Sequence, residues 1–571
     1  MKKIVFLIIA TLLVLGLVLP GCGGGGGFVR TRPIVAGEIN IAVTGPMTDV
    51  QGIHHWLGAQ MARDEINALP GKVTINGTPH TVVLHQVNTN EIQGQPSEGV
   101  LALRAVIEDV DLVVGGFRTE SVSAYRLEAM DDKVIFMNCG AATKALQESV
   151  ITNYGTYQYW FKATPYGEIF LVTSMLKLTA GAVGTLVATL KTMQGGGYTF
   201  KDSAYNFTGN GTQENPYVVK VAIFAEALSW AAGIVSTAQA KLPGLLNLTK
   251  NITMQVVGTW LVSDKATNIA TEMGQIAAAK PHVIFTVFSG PVGKVYSKAR
   301  ADAALPAMSV GINVEGQLQS MVTFTAGANA TMGGCQYDVM LDTWGYGVAQ
   351  TNLTAPFLTK FMSPAYANGE YPLYTAATYD AIYALRAAIQ GTNSLEPTLM
   401  VPWLEDKANA QSGTGTPATA YYPMPAITIN PTTFALNETQ VLALYPWLSG
   451  LTIWNGTAAV NWTFNPAQWT AGATGAGYVA HDTVYGPGYQ TGLGTQWQNI
   501  TGTLRKHGWW PMIAPPAPGN LTAQYIRDNL NGATSASLWQ SGLLDQHGYW
   551  NFQYPGEVAL QIPSSWWMNP P

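Results

Sequence analysis

The feature that most constrains the fold is a repeated unit of a short apolar run, a small polar loop and a helix. Its clearest copy spans residues 111–143. A strand at 111–116 leads into the loop Phe117-Arg-Thr-Glu-Ser121, a helix near 122–130, a strand at 134–137 and a loop at 138–143. Such units are typical of a parallel sheet, in which both loops lie at one edge. Ligands bind beyond the carboxyl ends of such strands, so the pattern predicts half of a small-molecule cleft.

The same unit recurs in two runs. The first run begins with a strand at 38–43, and the second begins with a strand at 218–224 after a long helix at 168–190. This pattern predicts an α/β fold of two lobes, each with a central parallel sheet flanked by helices. Residues 194–216 and 394–479 are rich in Gly, Asn, Thr or Pro and are predicted to be glycosylated insertions, with a polar and aromatic C-terminal extension after them.

These runs divide the chain into segments. We expect a signal peptide at 1–21, a Gly-rich tether at 22–35, the N-terminal lobe at 36–160, the C-terminal lobe at 161–340, a return to the N-terminal lobe at 341–393, an insertion at 394–479, and closing strands with a tail at 480–571.

The N-terminus predicts export. Lys2 and Lys3 precede an apolar run at 4–19, and the sequence Leu19-Pro-Gly-Cys22 resembles the bacterial and archaeal lipoprotein signal, in which cleavage precedes a lipidated Cys. The alternative is an uncleaved N-terminal membrane helix. Both interpretations place the body outside the cell, held at the membrane.

Composition supports an exported protein. Charged residues are only 11% of the chain, the net charge is -5, and no basic stripe is present, which argues against a nucleic-acid partner. Asn-X-Thr sequons favour an archaeal-type glycosylated surface; the predicted acceptors are Asn206, Asn210, Asn247, Asn251, Asn329, Asn352, Asn437, Asn455, Asn461, Asn499 and Asn520. Asn76 is a poor acceptor because Pro79 follows its Thr.

Catalytic and cofactor motifs are missing from the sequence. It contains no His-Glu-x-x-His, Cys-x-x-Cys, Gly-x-Ser-x-Gly or Walker loop, and its carboxylates are scattered. We therefore expect no enzyme activity, no catalytic residue, no cofactor and no metal. Cys139 and Cys335 could pair outside the cell, but two separate buried thiols are the favoured interpretation.

The ordered motifs resemble those of type I periplasmic binding proteins, specifically the branched-chain amino acid and amide-binding lipoproteins of ABC importers. The matching segments are Thr44-Gly-Pro-Met47, Gly58-Ala59 with Asp64-Glu-Ile-Asn67, Val114-Gly-Gly116, Asn138-Cys-Gly-Ala-Ala-Thr143, Tyr379-Asp-Ala381, His481-Asp482, Gly486-Pro-Gly488 and Gln496-Trp497. The resemblance implies two lobes that close over a ligand by a hinge motion.

The resemblance also implies site residues. It places Thr119 or Ser121, together with Ala141 and Thr143, at a ligand carboxylate, although Arg118 could instead make a bidentate contact. On the second lobe it implies the cleft residues Trp230, Phe288 and Ser289, with Asn313 or Glu315 near the family's acidic residue that meets an ammonium group.

The resemblance implies a monomeric, lipid-anchored solute-binding protein at the extracellular face of the membrane. Its partners would be a small ligand, an amino acid or amide with a branched-chain amino acid foremost, and the permease subunits of an ABC importer. Two alternatives remain: a ligand-sensing receptor domain, and a structural surface glycoprotein of the same fold that does not take part in transport.

Overall fold

The computed structural model describes residues 37–165, 167–246, 250–327, 334–348, 354–405, 426–427, 452–454, 459–461, 481–483, 492–500, 502–510 and 557–571. The predicted signal peptide and the lipidation site Cys22 lie outside these residues. So do several predicted glycosylation sites: Asn247, Asn329, Asn352, Asn437, Asn455 and Asn520.

The first lobe is built on a six-stranded sheet with the order β2-β3-β1-β4-β5-β6. Its strands are β1 (Glu38–Gly45), β2 (Val73–Ile75), β3 (Thr78–Asn88), β4 (Leu112–Gly115), β5 (Ile135–Asn138) and β6 (Trp160–Lys162). All neighbouring pairs are parallel except β2 with β3. Every residue of β4 and β5 is buried, because helices cover both faces of a parallel sheet.

The helices of this lobe follow the strands in alternation. They are α1 (Val50–Ala68), α2 (Pro96–Arg104), α3 (Thr119–Asp131), α4 (Lys144–Thr152) and α5 (Tyr154–Tyr157). Helix α1 buries Ala59, Met61, Ala62 and Ile66, which recur at helical spacing and face the sheet.

The second lobe is built on a seven-stranded sheet with the order β18-β17-β12-β11-β10-β8-β9. The remaining strands of the described chain are β7 (Thr199–Phe200), β8 (Tyr217–Glu226), β9 (Ile252–Val262), β10 (Val283–Phe288), β11 (Met308–Asn313), β12 (Val339–Asp342), β13 (Ala426–Ile427), β14 (Thr452–Trp454), β15 (Ala459–Asn461), β16 (Asp482–Thr483), β17 (Leu493–Ile500), β18 (Thr503–Trp510) and β19 (Met568–Asn569). Strands β8 to β12 pair in parallel, while β17 and β18 form an antiparallel hairpin on β12.

The later helices flank this sheet or return to the first lobe. They are α6 (Glu168–Gly195), α7 (Ser229–Lys241), α8 (Ala270–Ala279), α9 (Val292–Asp302), α10 (Met321–Phe324), α11 (Thr354–Phe361), α12 (Thr378–Thr392) and α13 (Pro397–Glu405). Helix α12 buries Ile382, Leu385 and Ile389 in the core of the first lobe.

The prediction of an α/β fold with parallel sheets flanked by helices is confirmed. Local bounds differ by a few residues. Helix α3 begins at Thr119 rather than near 122, so Thr119 and Ser121 lie within its first turn. The run Thr119-Glu-Ser121 is polar and lacks an apolar residue with helical spacing, which is why the sequence pattern placed these residues in the loop.

One stretch of the described chain, Phe170–Gly195 in α6, is long and apolar enough to cross a membrane. In the structure 61% of the most apolar 18-residue stretch of this helix is buried. Leu178, Leu186 and Leu190 are fully buried in the core of the second lobe. Packing against the sheet therefore accounts for its apolar composition.

The end of the chain is part of the second lobe. We define residues 557–571 as the C-terminal strap. Its strand β19 pairs with β7, and Trp566 and Trp567 are buried in the core of this lobe. The side-chain amides of Gln496 and Gln498 hold the strap by donating to the carbonyls of Gln561 and Ala559, at 2.8 and 2.9 Å. Trp566 and Trp567 of the predicted tail therefore complete a core.

The two described cysteines, Cys139 and Cys335, are buried and free. Burial raises the pKa of both thiols, that of Cys335 to about 12. This agrees with the interpretation of two separate thiols.

His282 makes the stability of this lobe depend on pH. Its Nδ1 accepts from the Lys220 backbone N–H at 3.0 Å, and its Nε2 donates to the Tyr205 carbonyl at 2.9 Å, which fixes the neutral tautomer. Burial lowers the pKa of His282 from 6.5 to about 4. The unfolded chain therefore binds a proton that the folded chain does not, and stability present above pH 6.5 is lost as the pH falls towards 4.

We expect His282→Gln to flatten this dependence, because the Gln amide can accept and donate at the same two partners without titrating. Between pH 7.5 and 4.5 the wild type should lose about 2–3 kcal/mol more free energy of unfolding than the variant. Urea unfolding at both pH values measures the difference, and equal losses in the two proteins would contradict the assignment.

Candidate functional site

The polar residues of interest follow the carboxyl ends of the parallel strands in both lobes. In the first sheet these ends are Gly45, Asn88, Gly115 and Asn138. In the second sheet they are Glu226, Val262, Phe288 and Asn313. Parallel strands bring their carboxyl ends to one edge, which is where ligands bind in open α/β sheets.

The two edges touch each other through Gln51 in the first turn of α1. Its Nε2 donates to the Ser289 carbonyl at 3.0 Å and to Glu315 Oε1 at 3.1 Å. Glu315 also forms an ion pair of 2.8 Å with Lys294. Gln51 is fully buried, and its Oε1 has no hydrogen-bond partner.

A second set of cross-lobe contacts comes from Arg118, in the loop after β4, and from Glu120 in the first turn of α3. Arg118 Nη1 lies 2.5 Å from Asp264 Oδ2, which follows β9. Glu120 Oε1 accepts from the Ser229 N–H at 3.0 Å and from the Ser229 hydroxyl at 2.6 Å, at the start of α7. The lobes therefore close on each other through polar contacts made by the loop after β4 and the first turn of α3.

The backbone of that loop is held by a buried carboxylate. Gly115 and Gly116 have φ values of +112° and +84°, which side-chain-bearing residues rarely adopt, and they turn the chain from β4 towards α3. Glu91, which follows β3, then accepts the N–H groups of Phe117 and Arg118 at 3.0 and 2.5 Å. Because Glu91 already occupies these two N–H groups, a ligand anion at this loop needs other donors.

Glu91 is also fixed by two hydroxyl groups. It accepts from Thr89 at 2.6 Å and from Tyr125 at 2.9 Å. Burial raises the pKa of Glu91, and these hydrogen bonds, with those from the loop backbone, oppose that rise. Glu91 therefore sets the position of Arg118.

The side chain of Arg118 has donor groups without a partner in the described chain. It is 7% exposed, and its Nε and Nη2 have no hydrogen-bond partner in the described part of the chain. A Cβ on Gly290 would lie 2.9 Å from Nη2, so glycine is needed there for the guanidinium to approach the second lobe. A buried guanidinium edge with free N–H groups suits a carboxylate.

Two hydroxyl groups lie at the starts of neighbouring helices. Thr119 Oγ1 and Thr143 Oγ1 are 2.5 Å apart, so the predicted loops after β4 and β5 do meet. The second loop is folded by Asn138, which donates to the Ala141 carbonyl at 2.9 Å and accepts its N–H at 3.2 Å. The polar groups of Ala141 are thus already bonded.

The second lobe contributes Glu226 at the end of β8. It accepts from Trp230 Nε1 at 2.6 Å, from the Ser289 hydroxyl, and from the Gly290 N–H at 3.3 Å. Burial raises the pKa of Glu226, while its hydrogen bonds and the charge of Arg118 oppose the rise. Glu226 therefore joins Trp230 and Ser289 into one polar group facing the loop of Arg118.

The other predicted site residues are buried in the core or hydrogen-bonded within their own lobe. Phe288 is fully buried between Phe224 and Tyr296, with ring centroids 5.2 and 5.3 Å away. Asn313 donates to the Gly293 carbonyl at 3.0 Å and accepts the Gly316 N–H at 3.1 Å. Ser121 is 3% exposed within α3. The structure thus brings Arg118, Thr119, Thr143, Trp230, Ser289 and Glu315 to the facing edges.

Several residues at these edges were not predicted from the sequence: Gln51, Glu91, Glu120, Glu226 and Asp264. Three of them, Glu91, Glu226 and Asp264, fall at or just after the carboxyl ends of β3, β8 and β9. The rule that singled out the loops after β4 and β5 would have found them if it had been applied to every parallel strand. No cluster of three metal-ligating side chains occurs among the described residues.

No family model matches the chain, and no curated protein matches it. Solved structures with a similar fold are solute-binding proteins of ABC transporters. A putative branched-chain amino acid ABC transporter from Silicibacter pomeroyi is 14% identical, with 83% of this chain and 97% of that chain covered and a TM-score of 0.47. LivJ from Streptococcus pneumoniae, in complex with isoleucine, is 16% identical, with 65% and 89% covered and a TM-score of 0.46.

A solute-binding protein of an ABC transporter from R. palustris, in complex with benzoate, is 13% identical, with 66% of this chain and 86% of that chain covered and a TM-score of 0.46. These neighbours are type I periplasmic binding proteins.

Proposed function

We propose that the protein binds a small solute with an anionic group between its two lobes and delivers it to an ABC importer. An amino acid or amide, foremost a branched-chain amino acid, is the solute class we favour. The observation that carries the proposal is Arg118, whose buried Nε and Nη2 have no partner in the described chain although Nη1 reaches across to the second lobe. A carboxylate bound there would satisfy both groups.

Other side chains at the facing edges suit particular groups of the solute. Thr119 and Thr143 share one hydrogen bond, so whichever hydroxyl group accepts it would donate its own proton to the same carboxylate. Gln51 Oε1 and Glu120 Oε2 are buried acceptors without a partner in the described chain, and they suit the N–H groups of an ammonium or amide. Trp230 and Ser289 would form the wall on the second lobe. The charge of Glu315 is already paired with Lys294, so Glu315 would act through Gln51.

Binding rather than catalysis suits this arrangement, because its acidic groups hold backbone N–H groups or pair with cations. The Arg118–Asp264 and Glu120–Ser229 contacts would hold the two lobes closed over the solute, as in hinge closure. We further propose that the protein acts as a monomer and is held at the extracellular face of the membrane by a lipid on Cys22.

A thermal-shift panel of amino acids, amides, urea, aromatic carboxylates and short peptides tests the proposal. A true ligand at about 100 times its Kd should stabilise the protein by about 2.7 kcal/mol. A branched-chain amino acid should give the largest rise in Tm. If no solute of the panel raises Tm, solute binding is wrong and a structural surface role is favoured. If a solute binds but transport assays show no uptake of it through a permease, a sensor role is favoured instead.

Thr143→Val should weaken binding of a carboxylate solute about 5- to 10-fold, because one hydroxyl donor is lost at constant shape. Titration calorimetry with the solute found in the panel measures the change. Thr185→Val is a matched control, since its hydroxyl caps the Gly181 carbonyl at 3.0 Å within α6. Unchanged affinity in the Thr143 variant would contradict the placement of the carboxylate.

A further inference from the structure

Three predicted glycosylation sequons meet at one end of the second lobe. We define residues 206–208, 210–212 and 251–253 as the first, second and third sequon. Val218 of β8 donates its N–H to the carbonyl of Thr208 in the first sequon at 3.0 Å. The third sequon leads into β9, which pairs with β8 in parallel, and one of its amide N–H groups donates to a carbonyl of the second sequon at 3.1 Å. All three sequons therefore lie at the amino ends of these strands, opposite the cleft.

The third sequon is closed to modification in the folded chain. Asn251 Nδ2, the atom that would carry the sugar, donates to the Gly211 carbonyl at 3.1 Å. The middle residue, Ile252, is 3% exposed in the core of the lobe. Thr253 pairs with Val218 in the sheet. Lifting this sequon from the surface would cost the hydrogen bond and the burial of Ile252.

The first sequon is fixed in place by its middle residue. Asn206 is exposed, but the ring of Phe207 packs against three neighbouring rings, with centroids 5.7, 6.2 and 5.2 Å away from those of Phe200, Tyr217 and His282. Thr208 forms a β-bridge with Val218. This sequon could enter the active site of a transferase only by giving up these contacts.

The second sequon lies at the tip of a turn. Gly209 and Gly211 have φ values of +83° and +79°, which residues with a side chain rarely adopt, and they place Asn210 between two bends. Asn210 is exposed, and its Oδ1 accepts the Thr212 N–H at 3.2 Å in an Asx turn. No described residue accepts a hydrogen bond from Asn210 Nδ2. The amide nitrogen is therefore accessible at the surface, with the exposed Thr212 two residues away.

We propose that Asn210 carries an N-linked oligosaccharide and that Asn206 and Asn251 do not. The donor would be an oligosaccharide on a polyprenyl-linked phosphate, and a transferase at the outer face of the membrane would catalyse the step. Asn210 Nδ2 attacks the anomeric carbon of the first sugar. The bond from this carbon to Nδ2 forms, the bond from this carbon to the phosphate oxygen breaks, and the amide gives one proton to the leaving phosphate.

The position of Asn210 leaves the solute cleft free. An oligosaccharide there would cover the amino ends of β8 and β9, whereas the facing edges of the lobes lie at the carboxyl ends of the same strands. The modification is therefore independent of the proposed transport function, and its test needs no solute. The sequence pattern nominates all three acceptors because it contains only the Asn and the Thr, whereas their accessibility is a tertiary property.

Glycopeptide mass spectrometry of the full chain, isolated from the membranes of its own cells, tests the proposal. Chymotrypsin cleaves after Phe207 and so separates Asn206 from Asn210. We expect an oligosaccharide on Asn210 in most molecules and unmodified peptides for Asn206 and Asn251. An unmodified Asn210, or an occupancy at Asn206 or Asn251 equal to that at Asn210, would overturn the proposal.

Two matched variants made in the same cells give a second measurement. Thr212→Val removes the hydroxyl group that the second sequon requires and should lower the mass of the intact protein by one oligosaccharide. Thr253→Val makes the same change in the third sequon and should leave the oligosaccharide mass unchanged. Thr212 is exposed, so its variant should fold, which thermal unfolding checks. Full oligosaccharide mass in Thr212→Val, or its loss in folded Thr253→Val, would contradict the assignment to Asn210.

Discussion

Trp567→Ala should lower the free energy of unfolding of the full chain by about 3–5 kcal/mol. Trp567 is 1% exposed and lies in the core of the second lobe beside Trp566, with ring centroids 5.7 Å apart. Its Nε1 has no partner in the described chain, so the substitution removes apolar packing without leaving an acceptor unpaired elsewhere. The loss therefore combines the transfer free energy of the ring with the cavity it leaves.

The C-terminal strap should contribute more than this one side chain. Chains that end at residue 556 also lose the pairing of β19 with β7 and the contact of Arg300 with the Trp566 ring at 5.2 Å. Urea unfolding of wild type, Trp567→Ala and the shortened chain measures the contributions. Ser565→Ala is the matched control, because this side chain is exposed and only its carbonyl contacts Lys201. A loss below about 1 kcal/mol in Trp567→Ala would show that the strap is not part of the core.

Arg118→Gln should weaken solute binding about 30- to 1000-fold, which corresponds to about 2–4 kcal/mol. The variant removes the positive charge and the bidentate donor edge that would meet the carboxylate. It also leaves Asp264, whose side chain is 13% exposed, without its partner. Both effects act on the closed state, so the dissociation rate should rise more than the association rate falls.

Two control variants separate these effects. Asp264→Asn keeps Arg118 and its position on Glu91, so it should change the dissociation constant much less than Arg118→Gln. Arg104→Gln removes an exposed guanidinium from the same lobe and should leave binding unchanged. Titration calorimetry on all three variants gives the dissociation constants, and thermal unfolding checks that each is folded. If Arg118→Gln binds the solute as tightly as the wild type, the carboxylate does not bind at this side chain.

The loops after β4 and β5 show which features of the site a local sequence pattern can predict. The apolar runs in β4 and β5 and the polar residues after them predict a parallel sheet edge, and the structure places Thr119 and Thr143 in contact at that edge. The same pattern does not show that Glu91, from the loop after β3, accepts hydrogen bonds from the N–H groups of Phe117 and Arg118. That occupation depends on the side-by-side order of β3, β1 and β4, which is a tertiary property.

The second wall of the cleft was harder to predict. Phe288 ends β10 and was expected at the ligand, but its side chain points into the core, whereas the next residue, Ser289, meets Glu226. Helices cover both faces of this parallel sheet, so every side chain within β10 is buried, and only residues beyond the strand end, such as Ser289, reach the facing edges. Sequence pattern gives strand ends only to within a few residues.

The sequence by itself determined the class of this fold, because hydrophobic period and turn residues act over a few neighbouring positions. It also determined that polar loops follow buried strands, and therefore where a ligand could bind. Only the tertiary structure decided which side chains meet there, such as Arg118 with Asp264, and where the C-terminal strap packs. Lys201 and Ser565 are 364 positions apart, and such contacts depend on the shape of the completed core rather than on any local pattern.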